Sequence, residues 1–258
     1  MPYVEWQEQK VYYRSREPKG HWEHTLLLVH GAGGNLGHWQ YQLSQAEKWG
    51  CRVMAVDLPG HGRSEGKPCP SIEKYSNFLK DFLNILEISD FSLGGHSMGG
   101  GIILDFATKR MLPCSSLILI STGAQFRVLD SLFSAFKKGL VPRELIRSAY
   151  SSVRSKFFLQ LAYEEAKKVS PQVFLNDFLA CQNFNVSADL FRINCPCLVL
   201  CGQDDLLTPV TSSLFLKEKL NTCFLHILAR GGHMLMIEEH EIVNNLIGEF
   251  LQKESKKA

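Results

Sequence analysis

The sequence predicts a doubly wound α/β domain: a mostly parallel sheet, an antiparallel hairpin at its N-terminal edge, and a block of helices inserted past the middle. Three observations lead there. Short runs rich in Leu, Ile and Val recur with helical stretches between them. Those runs are continuously apolar rather than alternating, the pattern of strands covered by helices on both faces. Between Ser121 and about Leu190 the strand rhythm stops, and about seventy residues carry helical periodicity instead.

Taken in order, YVEWQ (3–7) and VYYRSR (11–16) alternate around a polar break and predict the edge hairpin. TLLLVHG (25–31), CRVMAVDLPG (51–60), FSLGGHS (91–97), SSLILIS (115–121), CLVLCG (197–202) and FLHILARGG (224–232) predict the parallel strands. Between the fourth and fifth of these lie LDSLFSAFKKGL, RELIRSAYSSV, KFFLQLAYEEAKKV and VFLNDFLACQNF, all helical in period, with Pro142 and Pro171 as helix starts or breaks. The division that follows is a core of residues 1–121 and 191–258 with a helical cap at 122–190. A block in that position is placed to cover a site at the sheet edge where strands feed loops.

Composition excludes several function classes. The 258 residues are 45% hydrophobic, enough for one sizeable core. Lys plus Arg number 28 against 26 Asp plus Glu, a net charge of +2 that implies neither nucleic acid nor an anionic membrane as partner. KESKKA at the C-terminus reads as a solvated tail. No basic segment leads into an apolar run at the N-terminus, and no stretch of about 18 apolar residues could span a membrane, so the expected compartment is the cytoplasm. The eight cysteines, several inside apolar runs, are expected as buried free thiols. Cys195, Cys197 and Cys201 have no second pair to complete a zinc site, and no metal is expected. The sequon at Asn185 carries no weight without secretion. Self-association into a homo-oligomer is left open.

The chemistry points to Ser97, which stands among five glycines in SLGGHSMGGGI (92–102). A serine that attacks a carbonyl needs its hydroxyl exposed at the top of a strand beside free backbone amides. A strand turning abruptly into a helix provides this, and Gly95 and Gly99 remove the side chains that would collide in such a turn. The base must be a histidine. His233, in the loop RGGHMLM after the last strand, can reach the sheet edge; His226 reads as packed within its strand, His240 as surface beside Glu238 and Glu239, and His96 as part of the turn. GQDDLLTP supplies the acid, with Asp205 facing the imidazole and Asp204 solvated. The order Ser, Asp, His along the chain fits this reading. An oxyanion needs two donors: the Met98 amide beside the nucleophile, and the Ala32 amide in VHGAGG, where Gly31, Gly33 and Gly34 let the backbone approach.

On these residues the sequence resembles the α/β-hydrolase superfamily over nearly its whole length. HGAGG from His30, DLPGHGRS (57–64), GHSMGG (95–100), GQDDLLTP (202–209) and GGHM (231–234) carry the resemblance, and Trp39 sits where many members have a Trp. It implies a serine hydrolase without cofactor, with residues 122–190 as the helical lid. It also implies that alkyl-enzyme chemistry is absent, because haloalkane dehalogenases and epoxide hydrolases have Asp where this chain has Ser97. The lid is rich in Phe (126, 133, 136, 157, 158, 174, 178, 184); most are expected in its core and some toward the site, favouring a small to medium apolar ester. Carbon–carbon hydrolases, thioesterases, lactonases and perhydrolases share the same residues. A ligand receptor on a hydrolase scaffold is the reading of another class.

Overall fold

The computed structural model describes residues 2–255. Its strands are β1 (Tyr3–Trp6), β2 (Gln9–Arg16), β3 (Thr25–Val29), β4 (Arg52–Val56), β5 (Phe91–His96), β6 (Leu117–Ile120), β7 (Cys197–Gly202) and β8 (Cys223–Leu228). They form one sheet in the order β1-β2-β4-β3-β5-β6-β7-β8, antiparallel only at the β1-β2 and β2-β4 pairs. Helices α1 (Gln40–Leu43), α2 (Ala46–Trp49), α3 (Ile72–Ile85), α4 (Met98–Thr108), α9 (Val210–Lys219), α10 (Leu235–Glu238) and α11 (His240–Ser255) flank it. Between β6 and β7 run α5 (Asp130–Lys137), α6 (Arg143–Ala149), α7 (Lys156–Ala166) and α8 (Pro171–Gln182). Pro142 precedes α6, and Pro171 is the first residue of α8, where a missing N–H costs nothing.

The continuous apolar runs divide by the strand period of two. Leu27, Val29, Leu117, Leu119 and Val199 pack on one face with α3, α4 and α9, whereas Leu26, Leu28, Ile118, Ile120 and Leu200 pack on the other with α1, α2 and α11. Burial on both faces is what removes the alternation from the sequence. Val29 stands opposite both Val56 and Gly95, so β3, β4 and β5 end level and their loops meet at one edge.

Two expectations need correction. β8 closes the sheet as an edge strand, and His226 on it is exposed rather than packed. Of KESKKA, Lys253 to Ser255 continue α11, and the last three residues lie outside the described ones. All eight cysteines are free thiols, six of them buried. Among the described residues no helix is long and apolar enough to cross a membrane, and no His, Cys, Asp or Glu cluster could hold a metal.

Candidate active site

Ser97 lies between the end of β5 and the start of α4 with φ 52° and ψ −117°. A non-glycine residue in that region costs about 1–3 kcal/mol, so the surroundings must enforce it. They do so through hydrogen bonds and close backbone. The Ser97 N–H donates to Ile120 O at 3.0 Å, and its carbonyl accepts from Gly101 N at 3.1 Å and Thr122 Oγ1 at 2.7 Å. A Cβ on Gly95 would lie 2.4 Å from Gly99 O, and one on Gly99 would lie 2.2 Å from Val29 O. The chain therefore turns with strand, elbow and helix in backbone contact.

The structure brings His233 and Asp205 together. The imidazole Nδ1 is 2.9 Å from Asp205 Oδ2 and 3.0 Å from Oδ1, and both residues are buried. Thr208, missed in the sequence, completes the acid's shell: its amide donates to Oδ1 at 2.8 Å and its hydroxyl to Oδ2 at 2.8 Å. The Leu207 amide adds a third donor at 2.9 Å. Burial opposes ionisation of Asp205, but the imidazole and the Thr208 donors outweigh it, and the carboxyl is held below its ordinary range. With Nδ1 on the carboxylate, neither Nε2 nor Ser97 Oγ has a hydrogen-bond partner among the described residues. The two atoms are not hydrogen-bonded to each other in this structure, a looseness common before substrate enters.

His96 belongs to the turn. Its Nε2 donates to His233 O at 2.9 Å, and the rings lie 4.7 Å apart. Burial, with His233 beside it, keeps His96 well below the ordinary imidazole value, so it is a neutral brace between the serine and histidine loops.

Gly31 passes against the elbow, since a Cβ there would lie 2.8 Å from His96 Nδ1 and 3.1 Å from Ser97 Cβ. The His30 ring fixes this loop: Nδ1 donates to Gly31 O at 2.8 Å and Nε2 accepts from Leu58 N at 3.1 Å. Neither the Ala32 nor the Met98 amide donates to an acceptor among the described residues. Each is an unused donor near Ser97, Met98 also being the first residue of a helix.

Two of the carboxylates are not where the sequence suggested. Asp204 is half-buried and accepts from Ser151 Oγ at 2.6 Å. Glu238 is buried: it accepts from Ser151 N at 2.8 Å, Gly232 N at 2.8 Å and Arg154 Nε at 3.1 Å, and so braces the loop carrying His233. Of the eight phenylalanines between 126 and 184, Phe136, Phe174 and Phe184 are buried and four more are half-buried. Phe136 stacks on Phe174 and Phe178, each at 5.5 Å, whereas Phe157 is 74% exposed to solvent.

A model of the Alpha/beta hydrolase family matches residues 26–246. "Putative carbamate hydrolase RutD" of Agrobacterium fabrum is 30% identical over 246 residues, covering 88% of this chain and 92% of that protein. Among solved structures, a thermophilic esterase aligns with a TM-score of 0.82 at 25% identity, covering 98% of this chain and 97% of its own. The enol-lactonase from Burkholderia xenovorans LB400 aligns at 0.87 over 97% of this chain and all of its own, but at 19% identity that likeness is one of fold alone.

Proposed function

The chain belongs to the alpha/beta hydrolase family, and from that premise we propose that it is a serine hydrolase cleaving a carboxylic ester through an acyl-enzyme. The observation that carries this is Ser97 in its enforced backbone conformation at the head of α4, with the buried His233–Asp205 pair one loop away. Ser97 Oγ attacks the ester carbonyl while His233 Nε2 takes its proton. Asp205 stabilises the imidazolium that results. The tetrahedral oxyanion is received by the Ala32 and Met98 amides, each worth roughly 3 kcal/mol in comparable sites, with the positive end of α4 adding to the second. The imidazolium protonates the departing alcohol, and water attacks the acyl group by the reverse sequence. Residues 122–190 act as the cap over this edge and set the acyl specificity.

A second reading replaces the ester with a carbamate, favoured by the name of the RutD relative. The reacting carbonyl and the first step are the same. Initial rates on p-nitrophenyl esters from acetate to palmitate, with a p-nitrophenyl N-alkylcarbamate alongside, separate the two readings. A rate that peaks at one acyl length and vanishes in Ser97→Ala is expected, and faster release from the carbamate would move the assignment there. Equal inactivity of both proteins on every substrate would leave the fold standing and remove the ester chemistry.

A further inference from the structure

One buried carboxylate has no part in that mechanism, yet three donors converge on it. Asp177 lies within α8, on the inserted block, with its side chain wholly shielded from solvent. Its Oδ2 accepts from Gly33 N at 2.8 Å and from His61 Nε2 at 2.8 Å, and its Oδ1 accepts from Tyr75 Oη at 2.8 Å. The partners come from the loop after β3, the loop after β4 and α3. His61 also donates Nδ1 to Pro59 O at 3.0 Å. Both ring nitrogens therefore face acceptors, the arrangement of an imidazolium, and the pair is a buried ion pair.

The contact falls on the loop that carries an oxyanion donor. Residues 31–34 form a turn closed by Gly34 N–H on Gly31 O at 3.0 Å, with Gly33 at φ +61°. One turn of α8 before Asp177, the Phe174 ring lies so close that a Cβ on Gly33 would be 2.1 Å from it. Helix α8 thus holds Gly33 twice, once by its amide and once by shape. The Gly31 carbonyl is held from the other side by His30 and Gly34. In a trans peptide the N–H points opposite the C=O, so the Gly31 carbonyl sets the direction of the Ala32 N–H, while Gly33 N, held by Asp177, fixes the next peptide plane and with it the turn whose Gly34 N–H keeps Gly31 O in place.

Resting on the reading of Ala32 as an oxyanion donor, we infer that Asp177 is a positioning residue: the inserted block, through this carboxylate, sets the direction of the Ala32 amide. A block that merely covered the site would need no ionised group on the donor loop. A carboxylate is costly to bury and persists where its acceptors are used. Here they are used on the turn beside the nucleophile.

The test is the rate at which an alkyl fluorophosphonate labels Ser97 in the full-length protein. The serine oxygen forms a bond to phosphorus, fluoride leaves, the serine proton passes to His233, and the anionic phosphoryl oxygen draws on the same donors. Asp177→Ala is expected to lower the saturating rate about a hundredfold, the scale of losing one such donor, with the half-saturating concentration unchanged. Asp177→Asn keeps a neutral, weaker acceptor for Gly33 and should label more slowly than the native protein, by up to about tenfold. A purely structural role would lower the melting temperature and leave the labelling rate of folded protein unaltered, and that result overturns the inference. Should Asp177→Ala not fold, Asp177→Asn carries the test: its labelling slows and its Gly33 amide proton moves upfield, or both stay native and the inference falls. A folded native protein that is not labelled at Ser97 at all removes the serine-hydrolase reading together with this one, a different result from a labelled native protein matched by Asp177→Ala.

Discussion

At Gly99 a single methyl decides whether the elbow can form. The Cβ it would carry meets Val29 O, a carbonyl of the central strand β3, and neither strand nor helix can retreat without opening the sheet. Overpacking commonly costs about 1–3 kcal/mol, and because backbone rather than a flexible side chain is struck, Gly99→Ala should reach the upper end, about 3 kcal/mol. Gly50 is the control. Unlike Gly99 it has a positive φ, +66°, but a Cβ there meets nothing within 4 Å, so Gly50→Ala should cost only about 1 kcal/mol of backbone strain. Urea denaturation of the two variants checks the contrast, and equal losses would mean that the elbow yields. Local constraints of this kind made Ser97, Gly95 and Gly99 readable from the sequence, and the remaining strand ends offered few places for an acid and a base. Asp177 and Glu238 were not readable in the same way. Asp177 meets Gly33 across 144 positions, and Glu238 meets Ser151 across 87. A lone carboxylate inside VFLNDFLA signals that a charge is being buried, but nothing nearby says against what.

Among the elements, the parallel strands were legible because burial on both faces leaves continuous Leu, Ile and Val, whereas position within the sheet was not. The apolar run of β8 reads like that of β7, and only the sheet order makes it an edge and leaves His226 in solvent. The inserted helices differ from one another for a related reason. Helix α7 has no buried residue, although its composition is as apolar in appearance as that of α8, which buries Phe174, Leu175, Asp177, Ala180 and Cys181. Local opening free energy follows buried contacts. Hydrogen exchange should therefore separate the block into two parts, residues 156–166 exchanging at least about a hundredfold faster than 171–182. Exchange of both at one rate would show the block to be a single cooperative unit, and any movement of the block would then have to carry α8, and with it the Gly33 contact, along.

For the whole molecule, the two buried imidazole–carboxylate pairs set opposite limits on stability. Asp205 has a carboxyl held below its ordinary 3.8, so its contribution is present above that pH and is lost as the pH falls through the lower value of the folded state. His61 runs the other way. Burial disfavours its charge, but the Asp177 charge and hydrogen bond, with Pro59 and Asp57 adding to them, outweigh that and raise it above 6.5. Its contribution is complete below pH 6.5 and is lost as the pH rises through the higher, folded value. The groups facing this ring are Asp177, Asp57, Tyr75 and the neutral His30, whose ring is 5.0 Å away. Because Asp57 is itself shifted upward by burial, the assignment has to be made by difference. At pH 6 the native protein should exceed His61→Gln in stability by about 3–5 kcal/mol, the scale of breaking a buried pair. Above pH 6.5 that margin should shrink until the pH has passed the raised value of the folded state, and then level off. Chemical denaturation of both proteins across this range measures it. A margin that stays constant would mean that His61 is neutral throughout, that the link between α8 and the core loops is a plain hydrogen bond, and that the Asp177 charge is balanced by donors alone.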